Sequence, residues 1–213
     1  PVVVDIPKDV QFAKGIYTPP QTAPRTSYHP PLDGNQEMIR AAVSLMASAR
    51  RPIIYSGGGV INAGPEASHL LRELVELTGF PITSTLMGLG AYPASGENWL
   101  GMLGMHGTYE ANMAMHDCDV MLCIGARFDD RITGRLDAFS PNSRKIHVDV
   151  DPSSINKNVR VDIPIIGDAG RVLEDMVRLW RAGAKADKAA LKPWWEQIDR
   201  WRARQSLAYK ANH

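Results

Sequence analysis

At 213 residues with 44% hydrophobic side chains, the chain can bury the core of one large domain, or of one domain with extensions. A formal net charge of +1, with Lys and Arg dispersed rather than in blocks, argues against a nucleic-acid surface, so any phosphate recognition must be local. No apolar run reaches bilayer length and no signal peptide is visible; Cys118 and Cys123 fit neither CxxC nor a zinc pattern and read as reduced thiols of a cytoplasmic protein.

Residues 1–6 (PVVVDI) read as a short strand with no partner nearby, and the abrupt start at Pro1 reads as a chain cut from something longer. Residues 7–34 are rich in proline and read as an extended linker. The compact part is expected from Asn35. QEMIRAAVSLMASAR places Met38, Ile39, Ala42, Val43 and Met46 on one helical face, and Pro52 stops it. PIIYSGGG is a strand running into glycines. Pro65 then starts a helix with Leu70, Leu71, Leu74 and Val75 as its stripe, closed by Gly79.

FPITSTL is strand-like, and GLGAYPASGENWLGMLGMHG reads as one long glycine-rich loop. TYEANMAMHDC is a short helix and DVMLCIGA a strand. RKIHVDV and VDIPIIGD are two further strands, with a helical turn in DPSSINKN between them. AGRVLEDMVRLWRAG is an amphipathic helix with Val172, Leu173, Met176, Val177 and Trp180 inward. A last helix carries Trp194, Ile198 and Trp201 on one face. Strands alternating with helices, several of them apolar throughout, predict an α/β domain: a parallel sheet with helices on both faces, at roughly 35–183.

Ligands of such sheets collect at the carboxyl ends of the strands, and four predicted strand ends carry unusual residues. Gly57, Gly58 and Gly59 offer backbone N–H groups to a pyrophosphate; the spacing is neither GxGxxG nor GxxxxGK[ST], and a plain tight turn is the alternative. Ser84 and Thr85 bring hydroxyls beside a glycine loop. Arg127 follows Gly125 and Ala126 directly, and its planar fork suits phosphate oxygens, against the alternative of a solvated surface loop. Asp149 and Asp151 end a strand where an acid can accept from a ribose or adenine edge, while Asp168 fits an N-cap for the helix from Ala169. Together the four ends point to a nucleotide-like ligand with phosphates near Arg127 and an adenosine end near Asp149 and Asp168. Catalytic signatures are missing: there is no GxSxG, no HExxH and no Cys/His cluster, and no metal site is expected. His106 and His116 lie ten apart without a third ligand, His147 reads as a packed core residue, and the adjacent Asp129 and Asp130 would point oppositely in an extended segment.

VDIPKDVQ, STLMGLGAYP, LGMLGMHGTYEAN, IGARFDDRITG, HVDVDPSSINKN and IIGDAG, in this order through nearly the whole chain, resemble the catalytic subunits of the acetohydroxyacid synthase (acetolactate synthase) family. That family is thiamine-diphosphate dependent and has three domains. The resemblance implies a Rossmann-like central FAD-binding domain at 35–183. It makes residues 1–10 the last strand of a preceding pyrimidine-binding domain, 11–34 a linker, and 184–213 a linker or helix toward a pyrophosphate-binding domain. It places the activating glutamate before Pro1 and the magnesium motif after His213. The 213-residue chain alone is therefore expected to be inactive, to have no catalytic residue of its own, and to hold FAD weakly.

Residue by residue, the resemblance implies FAD contacts at Gly57, Gly58 and Gly59, at Thr85, Leu86 and Met87, and at Leu103, Gly104, Met105 and His106. It adds Gly125, Ala126, Arg127, Asp129 and Arg131 for phosphate and ribitol, and Asp149, Val150, Asp168 and Ala169 for the adenosine end. Met105, Asp130 and Arg131 correspond to a substrate channel. The implied reaction joins two pyruvates, or pyruvate and 2-oxobutyrate, with loss of carbon dioxide, using thiamine diphosphate and Mg²⁺. Implied partners are further copies of the catalytic subunit, as a homodimer or homotetramer, and a small regulatory subunit, without nucleic acid or membrane. Glyoxylate carboligase-type enzymes, a stand-alone nucleotide-binding module and a nicotinamide-dependent oxidoreductase are the alternatives; the missing GxGxxG disfavours the last.

Overall fold

The computed structural model describes residues 3–19 and 29–209. Six strands form one sheet: β1 (Pro52–Ser56), β2 (Ile82–Ser84), β3 (Trp99–Met102), β4 (Val120–Ile124), β5 (Arg144–Asp149) and β6 (Ile163–Ile166). Every pairing is parallel and the order is β3-β2-β1-β4-β5-β6. The chain thus leaves β1 in one direction and returns on its other side at β4. This order is that of the doubly wound Rossmann-like sheet, with its switch point between β1 and β4.

Side chains alternate across the strands, so successive residues of β1 feed two different cores. Ile54, Ile82, Leu122, Ile146 and Val148 face one side. They are covered by α2 (Gln36–Ala47), α4 (Pro65–Thr78) and α7 (Ala169–Ala182). The five inward positions expected for α7, from Val172 to Trp180, are all buried, each stabilising the fold by about 1.5–3 kcal/mol relative to exposure. Ile53, Tyr55, Met121 and Cys123 face the other side, under α5 (Tyr109–Asp117) and α8 (Lys188–Arg202). Trp194, Ile198 and Trp201 of α8 are buried there, so this last helix belongs to the packed body and is not a detached extension.

The local punctuation is that of the sequence. Asn35 caps α2, Asp168 caps α7 and Asp187 caps α8, each carboxyl or amide oxygen accepting from two backbone N–H groups. Pro65 opens α4, and Gly79 closes it at φ 70.

Four expectations need correction. No strand forms over residues 3–7, which are exposed and pair with nothing in the sheet; a strand exists only beside a neighbour, and none of the six lies next to it. Residues 1–2 and 20–28 of the expected strand and linker fall outside the described residues. Within the linker a short helix, α1 (Lys8–Phe12), buries no residue. The long glycine-rich loop contains β3, whose parallel register on β2 shifts between Ile82 and Ser84 and whose Gly101 sits at φ 90. That irregularity erased the alternation that would have betrayed it. Finally, GGVIN is not loop but a one-turn helix, α3 (Gly58–Asn62), with Val60 buried.

Candidate functional site

The carboxyl ends of β1, β4 and β5 open into a cleft of about 800 Å³ at the switch point. Its floor exists because three glycines let two backbones touch. A Cβ on Gly57 would lie 2.2 Å from the Gly125 carbonyl oxygen, and one on Gly125 would lie 2.6 Å from the Gly59 Cα. Gly125 itself is at φ 63, a conformation that glycine adopts without strain.

This close approach has a chemical consequence for the glycine reading. The Gly57 N–H donates to the Ile124 carbonyl and the Gly59 N–H to the Gly125 carbonyl, each at 2.9 Å. Two of the three expected pyrophosphate donors are therefore spent on the fold. Gly57 does not line the cleft at all, whereas Gly58 and Gly59 do.

Most other residues singled out by sequence do meet there. Thr85, Leu86 and Met87 form one lip, with Leu86 and Met87 exposed. Thr85 caps its own turn, accepting from the Gly88 N–H. Gly125, Ala126, Arg127, Asp129, Asp130 and Arg131 form the opposite wall. The Arg127 side chain, 70% exposed, pairs with Asp129 at 3.0 Å. Val150, Asp149, Asp168 and Ala169 close the far end. Leu103, Gly104, Met105 and His106 do not reach the cleft. Leu103 is buried in the second core, while the Met105 N–H donates to the Arg131 carbonyl at 3.0 Å and so ties this loop to the wall residue Arg131. Ser84, at the end of β2, is buried against Ser56 at 2.7 Å and takes no part.

Sequence reasoning missed Tyr55, Ile61, Asn62, Ala63, Ile132, Val148 and Gly167, which also line the cleft. Ile61, Asn62 and Ala63 were missed with their helix; Tyr55 and Val148 sit inside apolar strand runs, where a lining residue looks like any core residue.

Burial sets the electrostatics. Asp149 is 11% exposed; burial raises its carboxyl above the ordinary range, against the pull of the Asp151 N–H that donates to it at 2.8 Å. His147, wholly buried, has its pKa lowered by burial. Its Nε2 lies 2.7 Å from the Ala126 carbonyl, which can only accept, so Nε2 carries the proton. Burial likewise pushes the Tyr55 phenol far up, and its hydroxyl has no hydrogen-bond partner. Cys118 and Cys123 are free and buried, and the Cys118 thiol is pushed up to about 11. Among the described residues no group of three or more His, Cys, Asp or Glu gathers to hold a metal, and no helix is long and apolar enough to cross a membrane.

Chemically, the cleft offers an exposed guanidinium, an acid at a strand end, a backbone shelf without side chains and an apolar lip. That set suits a ligand with phosphates, a sugar and a flat apolar ring system, and a volume of about 800 Å³ lies within the range of roughly 300–1,000 Å³ usual for such sites.

Residues 39–176 match the family of the thiamine pyrophosphate enzyme central domain. The chain is 47% identical over 212 residues to the acetolactate synthase isozyme 3 large subunit of Escherichia coli (strain K12), covering 98% of this chain and 37% of that protein. It is 45% identical over 211 residues to the acetolactate synthase large subunit of Haemophilus influenzae, covering 98% of this chain and 36% of the relative. Against the acetolactate synthase of Mycobacterium leprae it is 42% identical over 208 residues, 98% of this chain and 33% of the relative. The chain thus spans about a third of the length of these curated relatives.

Proposed function

The chain belongs to the thiamine pyrophosphate enzyme family, whose central domain it matches, and from that premise we propose that it is the FAD-binding central part of an acetolactate synthase catalytic subunit. The whole protein would condense two pyruvates, or pyruvate and 2-oxobutyrate, with loss of carbon dioxide, in branched-chain amino-acid biosynthesis.

The observation that carries the flavin reading is the gathering of Gly58, Arg127, Asp149 and Asp168 around one cleft at the sheet's switch point. Arg127, paired only at its exposed surface, has a fork free to turn onto pyrophosphate oxygens. Asp149, with one oxygen on the Asp151 N–H, keeps acceptor capacity for a ribose hydroxyl. Gly58 and Gly59 admit the pyrophosphate closely, while Leu86 and Met87 present exposed apolar surface to a ring system. Leu103, Gly104, Met105 and His106 would flank that ring from outside the cleft, with Met105, Asp130 and Arg131 bordering the approach of substrate.

Thiamine diphosphate, with Mg²⁺, would be held by segments other than those of this chain and would supply the carbanion chemistry when bound. The first ten residues would belong to a preceding domain, 11–34 would link it to the central domain at 35–183, and 184–213 would lead to the next. Copies of the catalytic subunit and a small regulatory subunit are the proposed partners, in the cytoplasm. The test is activity. The full-length protein supplied with thiamine diphosphate, Mg²⁺, FAD and pyruvate should form acetolactate, and the 213-residue chain under the same conditions should form none above a blank. Ligation of glyoxylate with no acetolactate, or turnover by the short chain, would overturn the assignment.

A further inference from the structure

Four neighbouring strands place Thr83, Tyr55, Cys123 and His147 side by side, as the register pairs Tyr55–Thr83, Tyr55–Cys123 and Cys123–His147 show. All four are buried. Three have satisfied donors. The Thr83 hydroxyl donates to the Gly101 carbonyl at 2.8 Å, and the Cys123 thiol and the His147 Nε2–H both donate to the Ala126 carbonyl. The Tyr55 hydroxyl is the one donor of the four with no acceptor; His147 Nδ1, the unprotonated ring nitrogen, also has no partner but can only accept. A phenol buried in this way forfeits its hydrogen bonds to water, and phenylalanine would fill the same space without that loss.

Tyr55 walls the cleft together with Arg127 and Asp129, whose charges act oppositely on its hydroxyl, Asp129 raising its pKa and Arg127 lowering it. Asp129 occupies the N-cap of α6 (Asp130–Thr133) yet caps no N–H; its carboxylate is turned to Arg127. Between them Phe128 is fixed, at φ 52, with its ring 5.8 Å from that of Tyr55 and 5.0 Å from that of His147. The flanking Arg127 and Asp129 side chains are solvent-exposed and can exchange partners around this fixed ring.

We propose that Tyr55 is a positioning residue of the cofactor cleft: when Arg127 leaves Asp129 for the pyrophosphate of a bound dinucleotide, the Tyr55 hydroxyl donates to the released Asp129 carboxylate. The inference rests on the flavin reading above. The exchange keeps hydrogen bonds in balance, since Asp129 trades one donor for another, Arg127 gains phosphate oxygens, and the buried phenol acquires the acceptor it lacks.

The experiment is FAD titration of the full-length protein by flavin fluorescence, for wild type, Tyr55→Phe, Asp129→Asn and the double variant, with melting curves taken without FAD. Tyr55→Phe should melt no lower than wild type, because it removes an unsatisfied hydroxyl, and should bind FAD about 5- to 10-fold more weakly. The double variant should bind no more weakly than Asp129→Asn alone, since the two residues act as one unit. Unchanged affinity in Tyr55→Phe would overturn the proposal. So would a lower melting temperature without FAD, which would mean the hydroxyl is already bonded, and so would additive losses, which would mean that Tyr55 acts independently of Asp129. A wild-type protein that takes up no FAD would refute the flavin reading and this inference together, and the wild-type titration alone reveals that case.

Discussion

The two ends of the sheet carry cavities of equal size, about 800 Å³ each, and they are built in opposite ways. At the amino ends of β1 and β4, Asp119 accepts the backbone N–H groups of Arg50 and Arg51, each at 2.9 Å. Trp194 Nε1 donates to the Pro52 carbonyl at 2.9 Å and its ring meets Trp201 edge-on at 5.6 Å. These polar groups close the fold. At the carboxyl ends the commitments are left unfinished: Arg127 is held only by an exposed neighbour, the Tyr55 hydroxyl has no partner, and Leu86 and Met87 stand in solvent. Equal volume thus separates poorly what unsatisfied chemistry separates well.

The contrast can be broken first at the amino end. Trp194→Ala removes a buried indole and its hydrogen bond, and should lower unfolding free energy by about 3–5 kcal/mol in urea titrations, while the folded protein keeps its affinity for FAD. A variant that stayed stable but lost FAD would reverse the roles of the two ends. Next comes the shelf where stability and site meet. Gly57→Ala would press a Cβ against the Gly125 carbonyl at 2.2 Å, and separating the two backbones should cost about 1–3 kcal/mol. An unchanged urea midpoint would show that β1 and β4 can part freely there.

The smallest effect is one of pH. Burial lowers the His147 pKa in the folded protein, so the unfolded chain binds the proton more readily. That stability is present above the unfolded value of about 6.5 and is lost as pH falls through the lowered folded value, at a rate of up to ~1.4 kcal/mol per pH unit. His147→Gln, whose amide can still donate to the Ala126 carbonyl, should flatten this loss. Melting curves at pH 7 and pH 5 that fall equally in both proteins would place the titrating group elsewhere.

Much of this was legible in the chain. Residues of α2, α4 and α7 repeat at helical spacing, and several strands, VMLCI and IPII among them, are apolar throughout, so the parallel sheet and its two cores follow from periodicity. Asp168 was legible as a cap because Asp before a helical stripe has a local reason to be there. What escaped depends on contacts distant in sequence. β3 is an irregular edge strand that exists only beside β2. The close approach of Gly57 to Gly125 spans 68 positions of chain, so nothing local could reveal that two of the shelf's N–H groups are consumed. Tyr55 hid for the same reason: a strand residue declares its face, but only the neighbouring strands show whether its hydroxyl is satisfied.

The most direct test of the account is equilibrium binding of FAD to the full-length protein, comparing wild type with Arg127→Ala and Arg51→Ala. One flavin should bind per chain. Arg127→Ala should weaken it by about 1.5–3 kcal/mol, the loss of a charge-assisted hydrogen bond, and should change stability by less than about 0.5 kcal/mol because the side chain is exposed. Arg51→Ala, at the opposite end of the sheet, should bind FAD as wild type does. Equal affinities across all three proteins, or a loss confined to Arg51→Ala, would contradict the placement of the cofactor at the carboxyl ends of β1, β4 and β5.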